Sequence, residues 1–231
     1  MLVSIMLASV TSFISCDDCI GGNGEMTSRY IKIGDISQIR LSADADVILV
    51  PDSIDSLKIE GESNIINAYE FKESGKILKI RTVPCILSHK QVTITIPVHL
   101  LESLTINGSG NIISQSRLRA MDLELGVNGS GDIDLEVEAD NLVARINGSG
   151  DIKLKGSAKH QRININGSGD VEADSFAAGK VNVTINGSGD CRVMATSELK
   201  VVVRGSGSVY YKGSPDVTTE IKGSGSVEKL E

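Results

Sequence analysis

The chain has 231 residues with a formal net charge of −7, and its 40% apolar content includes no Trp, three Phe and four Tyr. That length admits one extended domain or two small ones, built on an aliphatic core of Ile, Val and Leu. The acidic balance, with no basic stripe anywhere in the chain, argues against a nucleic-acid partner, which requires a basic face for its phosphates.

Residues 1–15, MLVSIMLASVTSFIS, form an apolar run shorter than the roughly 20 residues of a membrane span. The run reads as the h-region of a signal peptide. It ends at Ser15-Cys16-Asp17-Asp18, a small residue before a cysteine as at a bacterial lipoprotein processing site, which makes Cys16 a candidate lipid anchor and the chain an outer-membrane lipoprotein. No Lys or Arg precedes the run, and Phe13 stands where such sites carry Leu. A start upstream of Met1 would supply the basic residues. A cleaved periplasmic or secreted protein and a structural apolar N-terminus are the alternatives. Residues 17–25 are rich in Gly, Asp and Asn and predict an unpacked tether, so residues 1–24 divide off as signal peptide and tether. Cys19 there reads as a bystander thiol. Its C-x-x-C spacing from Cys16 offers a redox pair, but no thioredoxin-like strand-to-helix pattern surrounds it.

Residues 25–100 predict an N-terminal β region, with strand-like runs over 30–33, 47–50, 57–59, 77–80 and 92–96, in which apolar and polar residues mostly alternate and 47–50 is apolar throughout. Pro51-Asp52, Glu73-Ser74-Gly75 and Pro97 break the runs. Asp44, Asp46, Asp52 and Asp55 gather in this region; solvated turns and strand edges account for them, with a cation site as the sharper alternative.

Residues 101–231 repeat. GSG triplets begin at Gly108, Gly129, Gly148, Gly167, Gly187, Gly205 and Gly223, at intervals of 21, 19, 19, 20, 18 and 18 residues. Aligned on the triplets, alternate residues before them form apolar columns: Leu123/Leu125/Val127, Leu142/Ala144/Ile146, Gln161/Ile163/Ile165, Val181/Val183/Ile185, Leu199/Val201/Val203 and Val217/Thr219/Ile221. A second strand follows each triplet, with Ile112, Ile133, Ile152, Val171, Cys191, Val209 and Val227 in one column. An Asn-Gly pair between apolar strands is ordinarily a hairpin signal. Column identity instead favours a parallel solenoid, in which each coil lies on its own copy about 4.8 Å away. The prediction is all-β: a parallel β-helix or solenoid of about seven coils, spanning roughly 29 Å from first triplet to last. The N-terminal β region caps one end, and the charged tail Glu228-Lys229-Leu230-Glu231 blunts the other. Edges left exposed invite pairing with another copy.

Three columns meet at the repeated corner. The glycines supply the positive φ that a tight reversal needs. Asn107, Asn128, Asn147, Asn166 and Asn186 precede five triplets and predict a stacked amide ladder; their N-G-S tripeptides also spell a glycosylation acceptor, which a repeated corner explains without modification. After the triplets come Asn111, Asp132, Asp151, Asp170, Asp190, Ser208 and Ser226. Stacked carboxylates about 5 Å apart repel unless solvated, capped by backbone N–H groups or bridged by a cation. Asp132, Asp151, Asp170 and Asp190 are therefore calcium candidates, although one Asp per roughly nineteen residues is sparser than the nine-residue ligand period of calcium-binding β-rolls. Cys191 occupies a core column as a buried thiol, and Cys85, beside Pro84, has no evident role. His89, His99 and His160 fall in no common column.

The ING-SGD repeats, Ala45-Asp46-Val47-Ile48-Leu49-Val50 and the closing GSGSVYYKGSPDVTTEIKGSGSVEKL resemble the putative auto-transporter adhesin head GIN-domain family over essentially the whole mature chain. The resemblance implies an exported β-solenoid of the Gram-negative envelope, and it carries over no catalytic or ligand residue. The expected function is a non-catalytic envelope protein, in the periplasm or at the cell surface, with an adhesive or assembly role. It needs no cofactor, touches the membrane through a lipid anchor, and meets an unidentified envelope or host-surface ligand. A glycan- or lipid-binding protein is the alternative, with few aromatics available for sugar stacking. A polysaccharide-active β-helix ranks last, since such grooves need loops inserted between coils and these intervals are nearly uniform.

Overall fold

The computed structural model describes residues 19–52, 54–83 and 85–231. The expected signal peptide and the Cys16 anchor lie outside the described residues. In chain order the N-terminal part holds β1 (Met26–Lys32), β2 (Gln38–Ser42), β3 (Asp46–Val50), β4 (Ser56–Glu62), the one-turn helix α1 (Ser63–Ile66), β5 (Tyr69–Ser74), β6 (Ile77–Thr82) and β7 (Thr93–Pro97). The repeats hold β8 (Ser103–Gly108), β9 (Asn111–Ser114), β10 (Leu118–Arg119), β11 (Asp122–Gly129), β12 (Ile133–Gly148), β13 (Ile152–Gly167), β14 (Val171–Gly187), β15 (Cys191–Gly205), β16 (Val209–Lys212), β17 (Asp216–Gly223) and β18 (Val227–Lys229).

The fold is a parallel β-solenoid of about seven turns. Pairing is parallel and keeps the predicted columns: Asn128 lies on Asn147, Ile133 on Ile152, Ile165 on Ile185, Cys191 on Val209. Burial follows parity, with Leu125, Val127, Leu135, Ala144, Ile146, Ile163, Val183 and Val203 inside and Glu124, Arg145, Arg162 and Lys200 outside. A period of two on stacked strands produces this alternation. Unequal intervals are absorbed by bulges, where the register of β14 slips against β13 between Lys153 and Lys155 and against β15 between Ala173 and Ala177. The extra residues there swing Phe176 fully into the core.

Stacking order departs from chain order at the N-terminal end. Strand β2 is parallel to both β6 and β8, and β3 to both β7 and β9. The coil made by β2 and β3 is therefore slotted between the later β6–β7 and β8–β9 coils, and the aliphatic core runs without interruption across residue 100. Beyond β6 and β7 the sheet turns antiparallel, with β5 on β6, β4 on β7 and β1 on β4. Helix α1 joins β4 to β5 and buries Ile65 and Ile66, sealing this end of the core.

Three expectations are corrected here. Cys19 is no bystander, because it forms a disulfide with Cys85. Residues beside it are no free tether: Ile20 and Leu87 exchange backbone hydrogen bonds with the opposite segment, and the Gly22 amide donates to Ser88 O at 2.7 Å. Spacing in sequence concealed this, since the bond closes over 66 residues and depends on the insertion between β6 and β7. The tail also does not cover the last coil. It adds β18 to β16, and the column residues Val217 and Ile221 stay 40% and 42% exposed, with none of the described residues stacked beyond them.

Candidate binding surface

The corner is the most regular surface feature. Asn107, Asn128, Asn147, Asn166 and Asn186 form the expected ladder: the side-chain amides of the last four each donate to the Asn Oδ1 of the coil before at 2.9–3.0 Å, and that of Asn107 donates to the Ser42 hydroxyl at 3.4 Å. The glycines act in two ways, only one of which φ accounts for. Gly148 has φ +149°; Gly150 has no positive φ, but a Cβ there would collide with the Gly131 carbonyl of the preceding coil. At the second position close approach between coils requires glycine, rather than the turn itself.

The Asp column is a capped stack. Asp132 Oδ1 accepts from the Asp151 amide at 2.8 Å, Asp151 from Asp170 at 2.8 Å, Asp170 from Asp190 at 2.6 Å, and Asp190 from Ser208 at 2.7 Å. Each carboxylate thus keeps one oxygen on a backbone N–H, which offsets the repulsion between neighbours. No group of three or more His, Cys, Asp or Glu that could hold a metal ion occurs among the described residues. The column also reaches further than the triplets indicate. Asn111 Nδ2 donates to Asp46 at 2.9 Å, and Asp46 pairs with Asn111 in register. Ser42-Ala43-Asp44-Ala45-Asp46 is therefore a corner that has lost its glycines, its two alanines standing where the repeats carry them. Asp52 and Asp55 lie at the other end of β3, where Asp55 meets Lys32 at 3.3 Å, so the four N-terminal aspartates share no site.

Three shallow depressions mark the flanks. One of about 480 Å³ runs along the Asp column and is bordered by Lys153 and Glu172, paired at 3.3 Å. Another, of about 420 Å³, holds Asp35, Asp52, Asp55 and His99. The most apolar, about 450 Å³, lies at the opposite bend of the coils: buried Leu101 and Leu123 line it, Leu100 and Met121 stand exposed at 57% and 71%, and Glu102, Asp122, Glu124 and Arg145 flank it. Arg145 pairs with Glu124. Sequence reading missed this groove because Leu100 and Met121 lie outside the repeat columns, in connections whose apolar residues follow no period.

The remaining candidates do not converge. Cys191 is fully buried, and burial pushes its thiol well above its ordinary range, so it stays protonated and unreactive. His89 sits beside the Lys90 carbonyl, His99 follows β7 and His160 lies in β13 between Asn141 and Lys180.

A family model described as putative auto-transporter adhesin, head GIN domain, matches residues 35–215. No curated protein sequence matches. Among solved structures, a putative adhesin from Bacteroides fragilis NCTC 9343 is similar at 25% identity with a TM-score of 0.86, over 91% of this chain and 100% of that one. A putative adhesin from Parabacteroides distasonis ATCC 8503 shares the fold at 24% identity and a TM-score of 0.77, over 92% and 100% of the two chains. A protein from the same strain described as a putative lipid binding protein is 26% identical with a TM-score of 0.73, over 92% and 99%.

Proposed function

The chain belongs to the putative auto-transporter adhesin, head GIN domain family, and on that premise we propose that it is an exported, non-catalytic cell-envelope protein whose solenoid flank is an adhesive surface centred on the Leu100/Met121 groove. The observation that carries this reading is the pair of exposed apolar side chains over a shallow, charge-rimmed depression. Such patches on a rigid scaffold mark contact sites. The Cys19–Cys85 disulfide supports export, because disulfides persist in oxidising compartments. Cys16 anchors the chain to the outer membrane as a lipoprotein; incorporation of labelled fatty acid, abolished by Cys16→Ser, is the expected result.

A lipid or acyl chain is the second reading, favoured by the groove's aliphatic lining and by the similar protein described as lipid binding. Purified protein is to be bound to a glycan array and to lipid-coated surfaces, beside the Leu100→Glu/Met121→Glu variant. Binding to either, lost in the variant, supports the groove and identifies the ligand class; binding that survives in the variant overturns its role. Product released from a polysaccharide panel would overturn the non-catalytic reading.

A further inference from the structure

We infer that the C-terminal end of the solenoid is a self-recognition surface, at which β17 pairs antiparallel with β17 of a second copy and continues the sheet across a two-fold axis at Thr219. The two ends of the stack differ in one decisive respect. At the N-terminal end the core is closed by α1, with Ile65 and Ile66 buried. At the C-terminal end β17 is paired, among the described residues, on one side only, to β15, and its core-column residues Val217 and Ile221 are 40% and 42% exposed. An edge strand with free N–H and C=O groups and an uncovered apolar face is a template for another strand.

The order of side chains in Asp216–Gly223 selects the occupant. Antiparallel pairing keeps core-facing residues on the core side only in registers that preserve parity. Centred on Thr219, the register sets Val217 opposite Ile221 and Thr219 opposite itself on the core side. On the solvent side it sets Asp216 opposite Lys222 and Thr218 opposite Glu220. The neighbouring parity-preserving registers fail: centring on Thr218 sets Asp216 against Glu220, and centring on Glu220 sets that carboxylate against its own copy. Opposite charges across a strand pair attract and like charges repel, so one register is both apolar inside and charge-complementary outside. Lys222 already leans along its own strand to Glu220 at 2.7 Å, which leaves Asp216 of the second copy to complete a pair of acidic groups around it.

Sedimentation velocity of the full chain over a concentration series tests this. The expected result is a monomer–dimer equilibrium weakened at least roughly tenfold by Asp216→Lys, since the two-fold axis turns both Asp–Lys pairs into Lys–Lys pairs at once. Lys222→Asp should weaken it similarly, and the double variant Asp216→Lys/Lys222→Asp should restore it. Circular dichroism and melting of each variant separate lost pairing from lost folding, and restoration in the double variant excludes misfolding as the cause. A monomer at every concentration overturns the inference, as does an oligomer indifferent to single and double variants alike.

Discussion

At the residue scale, the repeat is most informative where one member breaks its column. Gln161 occupies a position held by Leu142 below it and Val181 above it; it is 1% exposed, and neither Oε1 nor Nε2 meets a hydrogen-bond partner within the protein. An unpartnered buried amide costs about 1–3 kcal/mol. Gln161→Leu, similar in volume, should therefore raise stability by about that amount, seen as a higher melting temperature; an unchanged or lower one would show that the amide has found a partner. Asp151 sits in a column that is in order. Its Oδ1 holds the Asp170 amide, so Asp151→Ala should cost about 1 kcal/mol, while Asp151→Asn, which keeps the acceptor and relieves like charge, should cost less. Millimolar calcium should leave the wild-type melting temperature unmoved, because the stack is satisfied by amides. A rise with calcium that vanishes in Asp151→Asn would instead make the column a cation site.

At the element scale, the N-terminal clasp combines a covalent and an electrostatic fastening. The disulfide closes a loop of 66 residues in separation, for which chain entropy gives at most roughly 4 kcal/mol. Cys19→Ser/Cys85→Ser should lower the melting temperature on the order of 10 °C; no change would mean that the clasp opens before the solenoid unfolds. Beside the disulfide, Glu62 accepts from the Lys90 amide at 2.7 Å and the Gly24 amide at 2.5 Å. The Lys90 amide first, then that of Gly24, hold its carboxyl below the usual 4.5. A folded value below the unfolded one gives stability that is complete above about pH 4.5 and is lost as pH falls through the depressed folded value. Glu62→Gln should accordingly show a shallower acid decline in melting temperature between neutral pH and about pH 3. Equal slopes would remove Glu62 from the acid response. Little of this clasp was legible in the sequence. Cys19 and Cys85 lie in Gly- and Pro-marked stretches without periodicity, and only the insertion between β6 and β7, on which the segment at Ile20 pairs, brings them together. The repeat strands were legible to the residue, because each column is tested by its copies. The open groove was not, since an isolated Leu100 or Met121 carries no pattern.

At the scale of the whole molecule, a solenoid is a one-dimensional array in which each coil contacts only its neighbours, so stability approximates a sum of coil and interface contributions. The N-terminal coils obey the same geometry with degraded corners, which is why Asp46 joins the Asp column although its corner lacks glycine. If the interfaces are interchangeable, the array should tolerate loss of a member. The interval from Gly148 to Gly167 is 19 residues, and excising residues 149–167 joins Gly148 to Ser168 with every corner in register. The Asn147 and Asn186 amides, the Asp132 and Asp170 caps and the Ala144 and Val183 columns then become neighbours. The excision also removes Gln161, the unpartnered core amide, which offsets part of the lost burial. The shortened chain should fold with a wild-type β circular-dichroism spectrum per residue, a cooperative melt and only a modestly lower midpoint. Excising one residue fewer or more leaves a one-residue mismatch at a tight corner, where no bulge absorbs the native differences in interval, and should lower the midpoint further. Collapse of both variants alike would show that coils 133–187 form a unit that no single repeat can leave, and that the period is a property of the sequence rather than of the energetics.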